Sequence, residues 1–183
     1  MQPQTVANEI SEIIVTGEQI QARIKELAKE IDAEYRDKNV LTLGVLKGAV
    51  MFMADLSRAL EIQVQMDWMA VSSYGSGTVS SGVVRILKDL DADVSGRHIL
   101  IVEDIIDSGL TLSWLVQNLE ARGAASVEVV ALLRKPDAVK VDLDVRWIGF
   151  DIPNEFVVGF GLDWNERYRN LTGVGILKPE VYS

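Results

Sequence analysis

The residues with the clearest chemical potential lie at positions 103–111, directly after the apolar run 99–102. Three carboxylates, Glu103, Asp104 and Asp107, come at the end of a predicted buried strand, where their charges repel one another. A purely structural loop has little reason to keep such a group, whereas sugar hydroxyls and a hard metal ion such as Mg²⁺ would bind it. The segment therefore predicts a site for a hydroxyl-bearing ligand and a metal ion.

The same segment continues into a predicted helix through Ser108, Gly109 and Thr111. Free backbone amides, two hydroxyl groups and the positive end of the helix dipole favour a bound anion there. Taken singly, Asp107 or Ser108 could be only a helix N-cap, and the preceding acidic pair a solvated turn. The whole string after an apolar strand favours the binding site over these structural alternatives.

The elements that must position these residues alternate between apolar strands and amphipathic helices. A capping box from Thr16 to Gln19 opens the first helix, and Ile20, Ile24, Leu27, Ile31 and Tyr35 follow at helical spacing. Predicted strands cover residues 40–46, 64–71, 83–87, 99–102, 127–133, 147–150 and 156–158, and further helices cover 49–60 and 110–121, the latter capped by Gly123. This α/β alternation favours a parallel sheet with helices on both faces and ligands at the carboxyl ends of its strands.

One part of the chain breaks the alternation. Between the strands at 64–71 and 83–87 there is no helix, only a stretch rich in glycine and serine at 72–82. A strand–loop–strand of this kind predicts an antiparallel flap, and a loop of this length is typical of a lid, with plain disorder as the alternative.

Composition narrows the class of protein. The chain has 183 residues, a formal net charge of −9, no cysteine and a single histidine, His98. These features exclude a disulfide framework and a multi-histidine metal site, and they argue against a broad nucleic-acid-binding face. The N-terminal residues lack a signal-peptide pattern and no apolar run reaches membrane length, so we expect a cytoplasmic protein with no membrane partner.

The segment from Val102 to Gly109 resembles the signature motif of the phosphoribosyltransferase family, and its residues are similar to those of the hypoxanthine-guanine branch. The likeness extends from about Val40 to Leu177. Four further segments resemble parts of the same branch: 46–49 its pyrophosphate loop, Ser73 and Tyr74 its closing lid, 132–135 the strand end that carries its base-contacting lysine, and 156–163 with Arg169 its base-stacking and second-metal segment.

The resemblance implies a type I phosphoribosyltransferase fold: a mainly parallel twisted sheet flanked by helices, with an antiparallel flap and a small hood formed by the N-terminal and C-terminal segments. It implies a single domain over residues 1–183. The expected reaction joins hypoxanthine or guanine to 5-phosphoribosyl-1-pyrophosphate with Mg²⁺ as cofactor. The expected assembly is a homodimer or homotetramer.

The resemblance also assigns roles to residues. Asp107 is expected to handle the purine proton at N7. The residues expected to bind phosphoribosyl pyrophosphate are Lys47, Gly48, Ser73, Tyr74, Glu103, Asp104, Asp107, Ser108, Gly109, Leu110, Thr111 and Arg169. Those expected to bind the purine are Ile105, Lys135, Phe156, Val157 and Asp163, and the expected metal ligands are Glu103, Asp104 and Asp163. Two residues depart from some relatives: Leu110 replaces a basic residue, and Ala49 stands where a second glycine can follow Lys-Gly.

Each assignment has a plainer alternative. Without their context, Lys47 and Lys135 would be surface lysines, Phe156 a core residue, and Asp163 with Arg169 a structural ion pair. At the level of function, the rivals are a non-catalytic nucleotide-binding regulator of the same fold, a sibling transferase for another base, and a phosphoacceptor signalling domain. The preference among hypoxanthine, guanine and xanthine stays open.

Overall fold

The computed structural model of the chain describes residues 1–73 and 84–182, and these residues form two sheets. The larger sheet has six strands: β2 (Val40–Leu46), β3 (Val64–Ser73), β4 (Val84–Lys88), β5 (His98–Ile106), β6 (Ser126–Arg134) and β7 (Trp147–Asp151). Their spatial order is β4-β3-β2-β5-β6-β7, and all neighbours are parallel except β3 and β4. The α/β fold with a parallel sheet and an antiparallel flap is therefore confirmed.

Helices cover both faces of this sheet. Helices α1 (Gly17–Tyr35) and α2 (Val50–Ala59) pack on one face, and α3 (Leu110–Ala121) packs on the other. Residues of β5 alternate between the two cores, with Leu100 and Val102 in the first and Ile99 and Ile101 in the second. This period of two is the pattern that a strand buried on both faces requires. In the part of the chain described, no helix combines the length and apolar character of a membrane span.

The first helix forms as its sequence predicts. The Thr16 hydroxyl accepts a hydrogen bond from the Gln19 amide at 3.2 Å, and the Gln19 side chain accepts one from the Thr16 amide at 2.8 Å. This capping box satisfies two of the amides that a helix start leaves unpaired. The five expected apolar positions of α1 are all buried.

Strand β3 is longer than predicted, and its face assignment was partly wrong. Met66 is 46% exposed, whereas Asp67 and Met69 on the opposite face are buried. The reason is that Asp67 accepts hydrogen bonds from the amides of Asp91 and Ala92, so a polar residue occupies an inward position that hydrophobicity alone would not assign to it. The remainder of the expected lid, residues 74–82, lies outside the described residues.

Strand β5 also continues beyond the predicted end at residue 102. Its neighbour β6 pairs with Glu103, Ile105 and Ile106 in parallel register, which keeps the strand extended through the acidic positions. The expectation that Glu103 and Asp104 sit in a loop was therefore wrong. Both carboxylates belong to residues near the carboxyl end of a central strand.

Of the three strands in the second sheet, only the one at 156–158 was predicted. The sheet pairs β1 (Ile10–Val15) with β9 (Val174–Leu177) and β9 with β8 (Val157–Val158), all antiparallel. A short helix, α4 (Pro179–Tyr182), follows, and short 3₁₀ segments lie at Pro3–Val6 and Pro136–Ala138. The two ends of the chain thus meet in one small sheet beside the carboxyl ends of the main strands.

Candidate active site

The acidic pair at the end of β5 is partly buried, and one of its oxygens lacks a partner. The Glu103 Oε2 atom is inaccessible to solvent and has no hydrogen-bond partner among the described residues. Burial, followed by the charge of Asp104, raises the pKa of Glu103 well above its ordinary value. Burial likewise raises the pKa of Asp104 to about 6, although its Oδ1 accepts the Ile105 amide at 2.8 Å. Two adjacent, partly buried carboxylates of this kind are suited to a hard cation or to ligand hydroxyls.

The loop after β5 turns sharply into α3 at Gly109. This residue is the N-cap of the helix, with φ of +78°, and an added Cβ would lie 2.9 Å from the Val141 side chain. The N-cap alternative for Asp107 or Ser108 was therefore wrong. Glycine has no side chain to cap the helix, and the Leu110 amide makes only a long hydrogen bond of 3.5 Å to the Ser108 hydroxyl, so the start of α3 is suited to binding an anion.

A cavity of about 240 Å³ joins the acidic strand end to the start of α3. The sequence-predicted residues that line it are Glu103, Ile105, Asp107, Ser108, Gly109 and Thr111. The structure thus brings together six of the expected site residues around a single space. Two carboxylates and residues at the start of α3 are among the lining side chains.

Asp107 and Lys135 form an ion pair beside this cavity. The Lys135 Nζ atom lies 3.2 Å from Asp107 Oδ2, and the lysine amide donates to the Ile106 carbonyl oxygen at 2.9 Å. Lys135 is only 8% exposed, so the alternative of a surface lysine is wrong. Asp107, by contrast, keeps 60% of its side chain accessible. The pair therefore presents a free carboxylate edge backed by a buried cation.

The Lys47-Gly48 segment after β2 touches the acidic pair directly. A Cβ on Gly48 would lie 1.6 Å from Asp104 Oδ2, and a Cβ on Gly161 would lie 1.9 Å from the Gly48 carbonyl oxygen. The Leu46–Lys47 peptide bond is cis. Gly48 is therefore enclosed between the carboxylate of β5 and the turn that follows β8.

An ion-pair network lies on the outer side of this segment. The Arg169 guanidinium contacts Asp163 Oδ1 at 2.8 Å and Glu166 Oε2 at 3.2 Å, and it donates to the Gly161 carbonyl oxygen at 2.8 Å. Lys47 Nζ lies 3.0 Å from Glu166 Oε1. Asp163 and Arg169 therefore form the ion pair that the sequence analysis gave as the alternative to a binding role. The bonds from Lys47 and then Arg169 hold the pKa of Glu166 below its ordinary value.

Phe156 belongs to an aromatic cluster. Its ring stacks on Tyr182 with 4.8 Å between centroids and meets Trp164 edge-on at 5.6 Å. The side chain is partly buried, so the core interpretation holds in part. Val157 is buried in β8, where it pairs with Ile176.

Sequence reasoning missed two residues of the site region. Glu166 was missed because its partners, Lys47 and Arg169, are assembled by tertiary structure. Its only local signal is its place between Asp163 and Arg169. Tyr182 was missed because its role as the stacking partner of Phe156 depends on the fold of the C-terminal segment.

Two expected features lie at the limits of what the structure describes. Ser73 is the last residue of β3 and pairs with Val84, whereas Tyr74 lies outside the described residues.

Among residues 1–73 and 84–182, no group of three or more acidic, histidine or cysteine side chains is arranged to hold a metal ion alone. The expected ligand set of Glu103, Asp104 and Asp163 would need oxygens from a ligand to complete it.

Comparison with known proteins places the chain. Residues 11–165 match the family model of the phosphoribosyl transferase domain. The chain is 57% identical over 180 residues to the hypoxanthine-guanine phosphoribosyltransferase of Mycobacterium avium, covering 95% of this chain and 89% of the relative. The protein of the same name from Bacillus subtilis is 53% identical over 175 residues, which cover 96% and 97% of the two chains.

Comparison with solved structures finds the same kind of protein. The crystal structure of a hypoxanthine phosphoribosyltransferase from Staphylococcus aureus is similar with a TM-score of 0.95 and 44% identity, covering 98% of this chain and 97% of that one.

Proposed function

This chain belongs to the phosphoribosyltransferase family, in its hypoxanthine-guanine branch, and from that premise we propose how its residues divide the work of the reaction. The protein is a purine-salvage transferase that joins hypoxanthine or guanine to 5-phosphoribosyl-1-pyrophosphate. One observation supports the division of roles most strongly. The carboxylates of Glu103 and Asp107 and the start of α3 line the same cavity at the carboxyl end of the sheet.

Asp107 handles the proton at purine N7. Its carboxylate is largely accessible, while Lys135 behind it is buried and ion-paired. Proton transfer by a placed side chain contributes about 10² to 10⁴ in rate. The second role of Lys135 is to donate to the purine 6-oxo group, which adenine lacks. Adenine carries an amino group at this position, which cannot accept the hydrogen bond from Lys135, so the site favours 6-oxopurines over adenine.

Glu103 and Asp104 orient the ribose hydroxyls. The buried, unpartnered Glu103 Oε2 and the Asp104 carboxylate against Gly48 suit a hard cation, and the donor chemistry fits Mg²⁺. An ion held there, with ligand oxygens completing its shell, would supply positive charge to offset the negative charge that develops on the departing pyrophosphate. Asp163 is proposed to hold a second ion, for which it must exchange its contact with Arg169.

The anionic groups of the substrate are divided between two places. The amides and hydroxyls from Ser108 to Thr111 at the start of α3 hold the 5-phosphate. Lys47 and Arg169, with the Gly48 amide, hold the pyrophosphate, where preorganised charge is worth most. Leu110 supplies only its amide, because it has no charged group.

The purine is held by apolar surfaces. Phe156, already supported by Tyr182 on one side, stacks on the base, and Ile105 in the cavity wall contacts it. Backbone groups of Val157 recognise the edge of the base. Ser73 and Tyr74, at the expected lid, stay predictions for the exclusion of water from the ribosyl centre.

The proposal is tested by incubating each purine with 5-phosphoribosyl-1-pyrophosphate and Mg²⁺ and measuring nucleotide and pyrophosphate. We expect product with hypoxanthine and guanine, none with adenine, and none after chelation of the metal. Absence of product from both oxopurines would refute the assignment. A homodimer or homotetramer, to be tested by light scattering, and a cytoplasmic location stay predictions.

A further inference from the structure

Glu166 occupies a backbone position that a glutamate rarely adopts. Trp164 and Arg167 exchange two backbone hydrogen bonds, of 3.3 and 3.0 Å, across a two-residue turn. The residues between them, Asn165 and Glu166, have φ of +51° and +62°. Such a turn favours Asn followed by Gly, and a non-glycine residue there costs about 1 kcal/mol or more. A glutamate retained at this cost is a reason to ask what its side chain does.

The side chain bridges two cations. Glu166 Oε1 lies 3.0 Å from Lys47 Nζ, and Oε2 lies 3.2 Å from the Arg169 guanidinium. Lys47 and Glu166 come from segments 119 positions apart, so tertiary structure brings them together. The carboxylate is exposed, with 63% of the side chain accessible, which allows it to leave without disturbing the core. One carboxylate thus contacts both cations through separate oxygens, and Arg169 is paired with Asp163 as well, at 2.8 Å.

We propose that Glu166 is an internal counter-ion that competes with pyrophosphate for Lys47 and Arg169. The inference rests on the proposed function, which gives these two cations to the pyrophosphate group of the substrate and product. A carboxylate and a diphosphate offer the same kind of oxygen acceptor to lysine and arginine. A diphosphate that reaches both cations must therefore displace the Glu166 carboxylate. This exchange weakens pyrophosphate binding and favours its release after the reaction.

The test is direct titration calorimetry of the full chain with pyrophosphate in the presence of Mg²⁺. In Glu166→Gln, the two cations keep their places but lose the competing charge. Two exposed ion pairs no longer have to be broken, and we expect the dissociation constant for pyrophosphate to fall about three- to tenfold. The same tightening must appear in Glu166→Gly, which suits the φ of +62° and removes the same carboxylate.

A matched control exists on α1. Glu26 is also 63% exposed and pairs with an arginine three positions away, Arg23 at 2.8 Å. Glu26→Gln removes the same charge from the same kind of pair and should leave pyrophosphate affinity unchanged. In steady-state kinetics, Glu166→Gln should lower the KM for phosphoribosyl pyrophosphate by a similar factor and leave the KM for hypoxanthine as it is.

The outcomes separate a competitor from a positioning residue. If Glu166 instead held Lys47 and Arg169 in place for the substrate, Glu166→Gln would bind pyrophosphate more weakly. Weaker or unchanged binding overturns the proposal, whereas tighter binding in both variants supports it. Because calorimetry with pyrophosphate needs no turnover, a wild-type protein that bound pyrophosphate but formed no nucleotide would refute the proposed function and still test this inference.

Discussion

Two carboxylates inside the main sheet, Asp67 on β3 and Glu103 on β5, have opposite surroundings. Asp67 is 7% exposed and accepts hydrogen bonds from the amides of Trp68, Asp91 and Ala92 at 2.7 to 2.9 Å. Burial raises its pKa, but these amides together with the nearby Lys88 outweigh burial and leave the pKa lowered.

Glu103 has no such partners. Its Oε2 is buried and unpaired, and both burial and the neighbouring Asp104 raise its pKa. The difference teaches how to distinguish an anchoring carboxylate from a reactive one. The amide-bonded group fixes the chain after the flap, while the unsatisfied group keeps a binding capacity for something outside the protein.

The largest expected effect lies in the reactive region, at Asp107. In Asp107→Asn, kcat should fall by about 10² to 10⁴, because the amide cannot accept the purine proton. The dissociation constant for phosphoribosyl pyrophosphate should change by less than about tenfold, since Asp107 contacts Lys135 through an accessible edge. Stopped-flow turnover and calorimetry measure the two quantities. Asp137→Asn, at an exposed aspartate nearby, is the control, and near-normal turnover in Asp107→Asn would remove the residue from its role.

The next effect concerns the cation behind Asp107. Lys135→Ala should lower the ratio of kcat/KM for hypoxanthine over adenine by about ten- to a hundredfold, because the donor to the 6-oxo group is lost. Lys135→Met retains most of the buried side-chain volume and should give the same loss of discrimination. Assays with both bases decide the matter, and an unchanged ratio in the two variants would exclude the contact with the 6-oxo group.

A third prediction tests the anchoring region. Asp67→Asn should lower the free energy of unfolding by about 2 kcal/mol at pH 7, since amides bonded to a charged acceptor lose part of their stabilisation. The folded-state pKa of Asp67 lies below its unfolded value, so its contribution is present above 3.8 and is lost as the pH falls through the folded pKa. Urea unfolding from pH 7 down to pH 3 should therefore show the two proteins converging. A kcat lowered more than about twofold at pH 7 would contradict a purely anchoring role.

The smallest expected effect is a gain in stability, opposite in sign to that of Asp67→Asn, in the variant Glu103→Gln. Without Mg²⁺, the variant should be more stable than the wild type by about 1 kcal/mol, because a buried charge without a partner is removed. With Mg²⁺ and phosphoribosyl pyrophosphate, the wild type should gain more in Tm than the variant does. Thermal unfolding with and without these ligands measures both changes. A variant less stable than the wild type in the absence of ligand would mean that Glu103 is an anchor like Asp67.

The sequence was sufficient where local chemistry decides the structure. The capping box at Thr16, the buried face of α1 and the buried apolar strand at 99–102 follow from local sequence and were confirmed. The segment 103–111 was predicted to be a site because carboxylates, hydroxyls and a helix start are adjacent in the chain, and six of its predicted site residues line one cavity.

The remainder depended on tertiary contacts. The end of β5 was wrong by four residues because β6 supplies partners that periodicity cannot reveal. From its polarity alone, Asp67 would be assigned to the solvent-facing side of β3. It is buried because the amides of Asp91 and Ala92, distant in sequence, donate hydrogen bonds to its carboxylate. Strands β1 and β9 stabilise each other across more than 150 positions, and the position of Glu166 against Lys47 has the same long-range origin.

The close approach of Asp104 to Gly48 has an evolutionary consequence. An added Cβ at position 48 would overlap the Asp104 carboxylate, so a substitution of Gly48 also disturbs the acidic pair. The two segments, 56 positions apart in the sequence, are therefore exposed to selection as one unit. A loop transplanted from another transferase would be accepted only if it brings a glycine to this place, or if residue 104 changes in the same step.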